Sequence, residues 1–179
     1  MEFIRGAYIK SGLITIMKDL KLKYYTSAED SIEGWEKYSF PIGNGYAGAS
    51  VFGGVKKERL QITTNVFANT FDNGGVSDFA EIYINSGVKE FKNYNRELDT
   101  VNGIASSCFN YKNTSVKRVA FYNYPDNVLV YKISADKEID FSVNLVIPYL
   151  GARPVEQGGR TGSVSAENDC LVMRGSLPS

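Results

Sequence analysis

The chain has 179 residues and a mass of 19.8 kDa, 43% hydrophobic and 13% aromatic, so it is long enough to bury one core and too apolar to be disordered. Its 20 Lys and Arg balance 20 Asp and Glu, leaving no net field to draw nucleic acid. The complete lack of histidine removes Ser-His and Cys-His nucleophile pairs, histidine metal sites and the commonest general base, leaving carboxylates, lysine, tyrosine and amides for any chemistry.

No apolar run nears the ~20 residues of a membrane helix, and residues 12–17 are short for a signal-peptide core, so a cytoplasmic protein is expected. Cys108 and Cys170 lie far apart in strand-like contexts and are expected to be reduced and buried as small hydrophobes. No cofactor and no metal is expected. No His/Cys/Asp cluster has ligand spacing, and "DNGG" lacks the alternating carboxylates of a calcium loop.

In chain order, residues 1–17 fit no periodic pattern and are expected to form an extension, either an added strand or a leader. From residue 18 the period is two. "LKLKY" alternates Leu20, Leu22 and Tyr24 against lysines, Ala49 to Phe52 is a short strand, "RLQIT" alternates Leu60 and Ile62, and "IASSCFNY" alternates Ala105, Ser107, Phe109 and Tyr111. The "YPDN" turn (124–127) precedes "VLVYKI" (128–133). "SADKEID" has hairpin length, and "FSVNLVI" puts Phe141, Val143, Leu145 and Ile147 on one face. Residues 116–147 thus predict a three-stranded meander, and Leu171–Met173 a further strand. Short strands, turn chemistry and no long amphipathic helix predict an all-β protein, a single antiparallel β-sandwich over residues 18–179.

The stretch "FPIGNGYAGASVFGG" (40–54) places Gly43, Gly45, Gly48, Gly53 and Gly54 among apolar residues, too glycine-rich for an ordinary strand. Asn44-Gly45 is a tight-turn pair able to take positive φ, and the other glycines allow bulges or close backbone approach. Residues 43–48 also fit G-x-G-x-x-G, but β-type sequence follows where a dinucleotide site needs a helix. These five glycines are therefore expected to serve turn structure.

With these residues a family resemblance emerges. "PIGNGYAGASVFGGVKKERLQI" (41–62) resembles the amino-terminal region of glycoside hydrolase family 95, the α-L-fucosidase-type enzymes. "YTSAEDSIEGWEKYSFPIGNG", "FAEIYIN" (79–85), "YNRELDTVNGIASSCF" (94–109) and "VKRVAFYNYPDNVLVYKISADK" (116–137) resemble later segments of that family in the same order, over about residues 22–147. The resemblance implies a β-sandwich that precedes a helical (α/α)₆ barrel, the downstream domain that carries inverting hydrolysis and is absent from this chain. It therefore implies no catalytic residue here, and carbohydrate, in the form of fucosylated or related glycans, as the partner of the whole enzyme. The chain departs from the pattern where Thr63, Thr64, Asn65, Val66, Phe67 and Ala68 replace Asn-Glu-Asp-Thr-Leu-Trp, which puts fucose specificity in question.

The residues themselves offer no acid/base constellation. Glu97 and Asp99 share a strand face, but spacing alone cannot give the ~6.5–9.5 Å separation of an inverting pair, so both are expected to be structural, with Arg96 as ion-pair partner. Trp35 in its polar loop, Tyr46, Asn44 at the turn tip and Asn65 are the candidates for a sugar-pocket rim, because pyranose C–H faces pack on flat rings and amides bond hydroxyls. The carboxyl end reads as an incomplete sandwich whose open edge and apolar face predict a homo-oligomer of the chain as given. Two other functions remain open: a free-standing carbohydrate-binding module, and a structural or oligomerisation domain that binds no sugar.

Overall fold

A computed structural model describes residues 20–69, 75–148 and 161–176; the expected extension over 1–17 lies outside them. The strands are β1 Lys21–Tyr24, β2 Phe40–Gly43, β3 Ala47–Val51, β4 Lys57–Asn69, β5 Gly75–Ser86, β6 Lys92–Asp99, β7 Ile104–Tyr111, β8 Thr114–Asn123, β9 Val128–Ala135, β10 Phe141–Val146, β11 Thr161–Glu167 and β12 Cys170–Ser176. One antiparallel sheet runs β1-β6-β7-β8-β9 and a second runs β10-β5-β4-β3-β2. The third, β11-β12, is a two-stranded ribbon.

Period-two patterning builds the sandwich. β7 buries Ala105, Ser107 and Phe109, and β8 buries Thr114, Val116, Arg118 and Ala120. Phe40, Ile42, Ala49, Val51 and Leu60 of the second sheet meet Leu98, Ala105 and Ala120 of the first. Val55, Val88, Phe109 and Val116 form a smaller cluster. The chain is an all-β sandwich; among the described residues there is no long helix, and a π-helical turn covers Gly34–Tyr38.

The meander over 116–147 holds for two strands and fails for the third. β8 and β9 pair from Val116↔Ala135 to Asn123↔Val128. β10 instead crosses to the other sheet and pairs with β5, from Phe141↔Ser86 to Val146↔Glu81. Loop length does not distinguish an in-plane reversal from a crossing. Here the Asp136 carboxylate accepts the Ser115 N–H (3.1 Å) and Ile139 packs on the core, drawing the connection inward. On β10, Ile147 just past the strand is buried, but Phe141 and Val143 stay 55% and 41% exposed, because the first sheet ends at β9 and nothing among the described residues lies over them. An apolar groove of about 860 Å³ results, with Ile82, Ile84, Leu129 and Ile133 in its walls.

Arg96 does not partner Glu97 or Asp99. Neighbours on a strand face opposite ways, so Arg96 points inward, where Nε and Nη1 donate to the carbonyls of Thr26 and Tyr38 (both 2.7 Å) and the guanidinium lies over the Tyr24 and Phe40 rings. Glu97 faces outward and pairs with Lys21 (2.7 Å) and Lys23 (3.0 Å) of β1, while Asp99 accepts the Val101 and Asn102 N–H groups of the following turn. Lys21, and then Lys23, holds the Glu97 carboxyl below its ordinary range. Its contribution is therefore present above the unfolded pKa of about 4.3 and lost as pH falls through the lower folded value. Glu97→Gln is expected to cost under about 1 kcal/mol at neutral pH and nothing once the carboxylate is protonated, as urea unfolding at two pH values would reveal.

Both cysteines are unpaired, as expected, but not buried: Cys108 is half-buried and Cys170 exposed, because each falls on the outward phase of its strand or at a ribbon end.

Candidate functional site

At one end of the sandwich the β2–β3 hairpin closes over Asn44, with Gly43 and Gly48 paired across it and Gly45 at φ +92°. Asn44 Oδ1 accepts the N–H groups of Tyr46 and Ala47 (both 3.0 Å), an Asx turn. Its Nδ2 donates to the Asn123 carbonyl (3.3 Å) and to Asn127 Oδ1 (2.8 Å) in the β8–β9 turn. All four hydrogen-bonding positions of the amide are thus engaged within the protein. Asn44 staples the two sheets and presents no vacant group to a sugar. Asn44→Ala is expected to lower stability by about 1–3 kcal/mol, read by chemical denaturation, with no change in any saccharide affinity beyond that from unfolding.

Asn65 and Tyr46 join this turn. Asn65 Nδ2 donates to the Gly45 carbonyl (3.2 Å), the Asn65 N–H bonds the Tyr46 carbonyl (3.0 Å), and a register irregularity in β4 after Thr63 lets it lean in. The Tyr46 ring is 53% exposed and lies 6.2 Å from that of Tyr124, tilted by 32°. Tyr124 and Asn127 were not singled out in the sequence; the signal was the "YPDN" turn, whose contact with Asn44 lies 83 residues away.

Trp35 is held elsewhere, and on a helical turn rather than a loop. Its Nε1 donates to Ser50 Oγ (3.2 Å), whose β3 neighbours Ala49 and Val51 face the core, so the indole lies on the outer face of the second sheet. On the same sheet Arg59 bridges Asp30 (2.7 Å) and Glu81, Tyr83 donates to Glu81 (2.8 Å), and the Tyr83 hydroxyl is pushed up to about 12 by burial and the Glu81 charge. These carboxylates are committed to ion pairs.

Gly53 and Gly54 belong to a buried polar network. Glu58 is fully buried; it accepts the Gly53 N–H (2.7 Å) and the Tyr131 hydroxyl (2.9 Å) and faces Arg118 at 3.7 Å. Arg118 donates to the Gly54 (2.6 Å) and Val55 (3.0 Å) carbonyls, and Tyr94 to the Gly53 carbonyl (2.6 Å). Burial raises the Glu58 carboxyl against the pull of Arg118 and its donors. A raised carboxyl can mark a general acid, but this one is sealed from solvent within the core. Among the described residues no group of three or more Cys, Asp or Glu could hold a metal ion.

Fold and surface together define a two-sheet β-sandwich domain with an exposed aromatic pair at one end and an open apolar groove at its side. Residues 62–179, about two thirds of the chain, match the family described as glycosyl hydrolase family 65, N-terminal domain, and the chain belongs to that family. No curated protein matches it. The family number is 65 where the sequence motifs resembled family 95; what stands is the N-terminal domain of a glycoside hydrolase, with carbohydrate as the substrate class. The match begins inside β4, so the glycine-rich stretch lies before it.

Proposed function

We propose that this sandwich is the non-catalytic N-terminal scaffold of an α-L-fucosidase-like glycoside hydrolase, whose catalysis takes place in a helical domain further along the polypeptide. The observation that carries the scaffold role is the apolar groove between the β9 and β10 edges. Exposed Phe141 and Val143, with Ile82, Ile84, Leu129 and Ile133 behind them, form a face that a soluble sandwich ordinarily covers. The downstream domain is the occupant this reading assigns; self-association of the isolated chain through the same face is its expected behaviour when that domain is absent. The commitment of Glu81 and Glu97 to ion pairs and the burial of Glu58 favour hydrolysis elsewhere.

The polypeptide purified from its native cell is expected to hydrolyse fucosylated oligosaccharides with inversion, seen as the first anomer released by NMR, and the 179-residue chain is expected not to. Hydrolysis by the 179-residue chain, or none by the native polypeptide on fucosyl and galactosyl substrates, would overturn this reading.

The exposed Tyr46–Tyr124 pair favours a second reading, a carbohydrate-binding module in its own right. Tyr124→Ala is then expected to abolish saccharide binding by the isolated chain in calorimetric titration; absence of any binding by the unaltered chain removes this reading.

A further inference from the structure

At the end of the sandwich opposite the Asn44 turn, three connections converge: the β3–β4 turn, the β5–β6 connection and the β7–β8 turn. They enclose a cleft of about 980 Å³, at the upper end of the roughly 300–1,000 Å³ typical of small-molecule sites. Four lysines line it, Lys56, Lys89, Lys92 and Lys112, against one carboxylate, Glu90. The whole chain is neutral, so this is a local separation of charge rather than a share of a basic surface. All four lysines are exposed, and none forms an ion pair with another described residue.

The cleft is also packed onto the core. Phe91, 41% exposed, stands edge-on to Tyr94 (5.9 Å) and Phe109 (6.2 Å), and Phe109 is a fully buried core residue. Val88, 2% exposed, anchors the same connection. The Lys56 turn is tied down by Ser86 N–H donating to the Lys56 carbonyl (2.9 Å) and by Ser86 Oγ and Arg118 donating to the Val55 carbonyl. Lys112 holds φ +52°, a conformation that costs a side chain about 1–2 kcal/mol where glycine would be free. Asn93, at φ +55°, sits in the register irregularity of β6. Two non-glycine residues thus occupy left-handed backbone on this rim, one carrying a cation and one an amide.

We propose that this cleft binds an anionic saccharide, one bearing carboxylate or sulfate groups. Lysine ammonium groups meet the anions, the exposed Phe91 side chain receives a pyranose C–H face, and Asn93 and Asn110 bond hydroxyls. Nucleic acid fits less well, since a neutral chain of pI 6.3 with four clustered lysines offers few phosphate contacts. The inference stands on the cleft alone and not on which glycosidic bond the hydrolase cuts.

The test is calorimetric titration of the full 179-residue chain at low salt with tetragalacturonate, a κ-carrageenan tetrasaccharide, neutral maltotetraose and a short single-stranded oligodeoxynucleotide. One or both anionic saccharides are expected to bind and maltotetraose not to; the preferred one distinguishes carboxylate from sulfate recognition. Lys89→Gln/Lys92→Gln is expected to weaken binding about tenfold, equivalent to about 1.4 kcal/mol, with Tm unchanged. Lys117→Gln/Lys132→Gln, the same loss of charge elsewhere, is expected to leave affinity within about twofold. Failure of both anionic saccharides to bind, equal loss in both double variants, or tighter binding of the oligodeoxynucleotide would overturn the proposal.

Discussion

Gly53→Ala is expected to destabilise the protein by about 2–4 kcal/mol, far more than a glycine change in an open turn. Gly53 has φ +77°, and a Cβ there would meet the Tyr94 hydroxyl at 2.6 Å and Arg96 Cδ at 2.8 Å. Neither neighbour has room to yield. Tyr94 is bonded to the Gly53 carbonyl, and Arg96 is clamped by two carbonyls between two rings. Gly45 supplies the control, because at φ +92° a Cβ would meet nothing within 4 Å. Gly45→Ala is therefore expected to cost only the conformational part, about 1–2 kcal/mol. Urea unfolding of the two variants separates backbone strain from packing, and equal losses would contradict the close approach at Gly53.

Glu58→Ala is the second large effect, expected at about 3–5 kcal/mol. It strands the Gly53 and Arg59 N–H groups, the Tyr131 hydroxyl and the buried Arg118 guanidinium. Glu58→Gln keeps one of the two acceptor oxygens and should cost less. Because the folded carboxyl is raised above its unfolded value, the folded state holds the proton more tightly. The wild-type advantage over Glu58→Gln is thus greatest below about pH 4.3 and declines as pH rises through the folded pKa. An advantage that instead grew with pH would mean that Arg118 outweighs burial. The same network holds the Val55 carbonyl beside Lys56, so it fixes one wall of the lysine cleft as well as the core.

The parts legible in the sequence were those in which one strand's alternation decides the outcome. "IASSCFNY" buries alternate residues as read, and "VLVYKI" forms β9. β10 was legible as a strand but not as to its sheet, since a five-residue connection fits both a hairpin and a crossing. The charge of Arg96 beside Glu97 suggests a surface ion pair, but Arg96 shares the strand phase of apolar Leu98, and that phase faces inward. Of the rim candidates, Asn44, Tyr46 and Asn65 come together and Trp35 stands apart, bonded to Ser50. The turn at Asn44 followed from Asn-Gly chemistry; its grip on Asn127 depends on how two distant turns meet. The lysine cleft had no local signature, its four cations being spread over three connections.

The most direct test of the account is the intact mass of the native polypeptide, captured with antibody to this chain and weighed by mass spectrometry. An N-terminal scaffold of a glycoside hydrolase predicts a product several times heavier than 19.8 kDa that carries the hydrolytic activity. A product of about 19.8 kDa would contradict it and leave the sandwich as a saccharide-binding or assembly module.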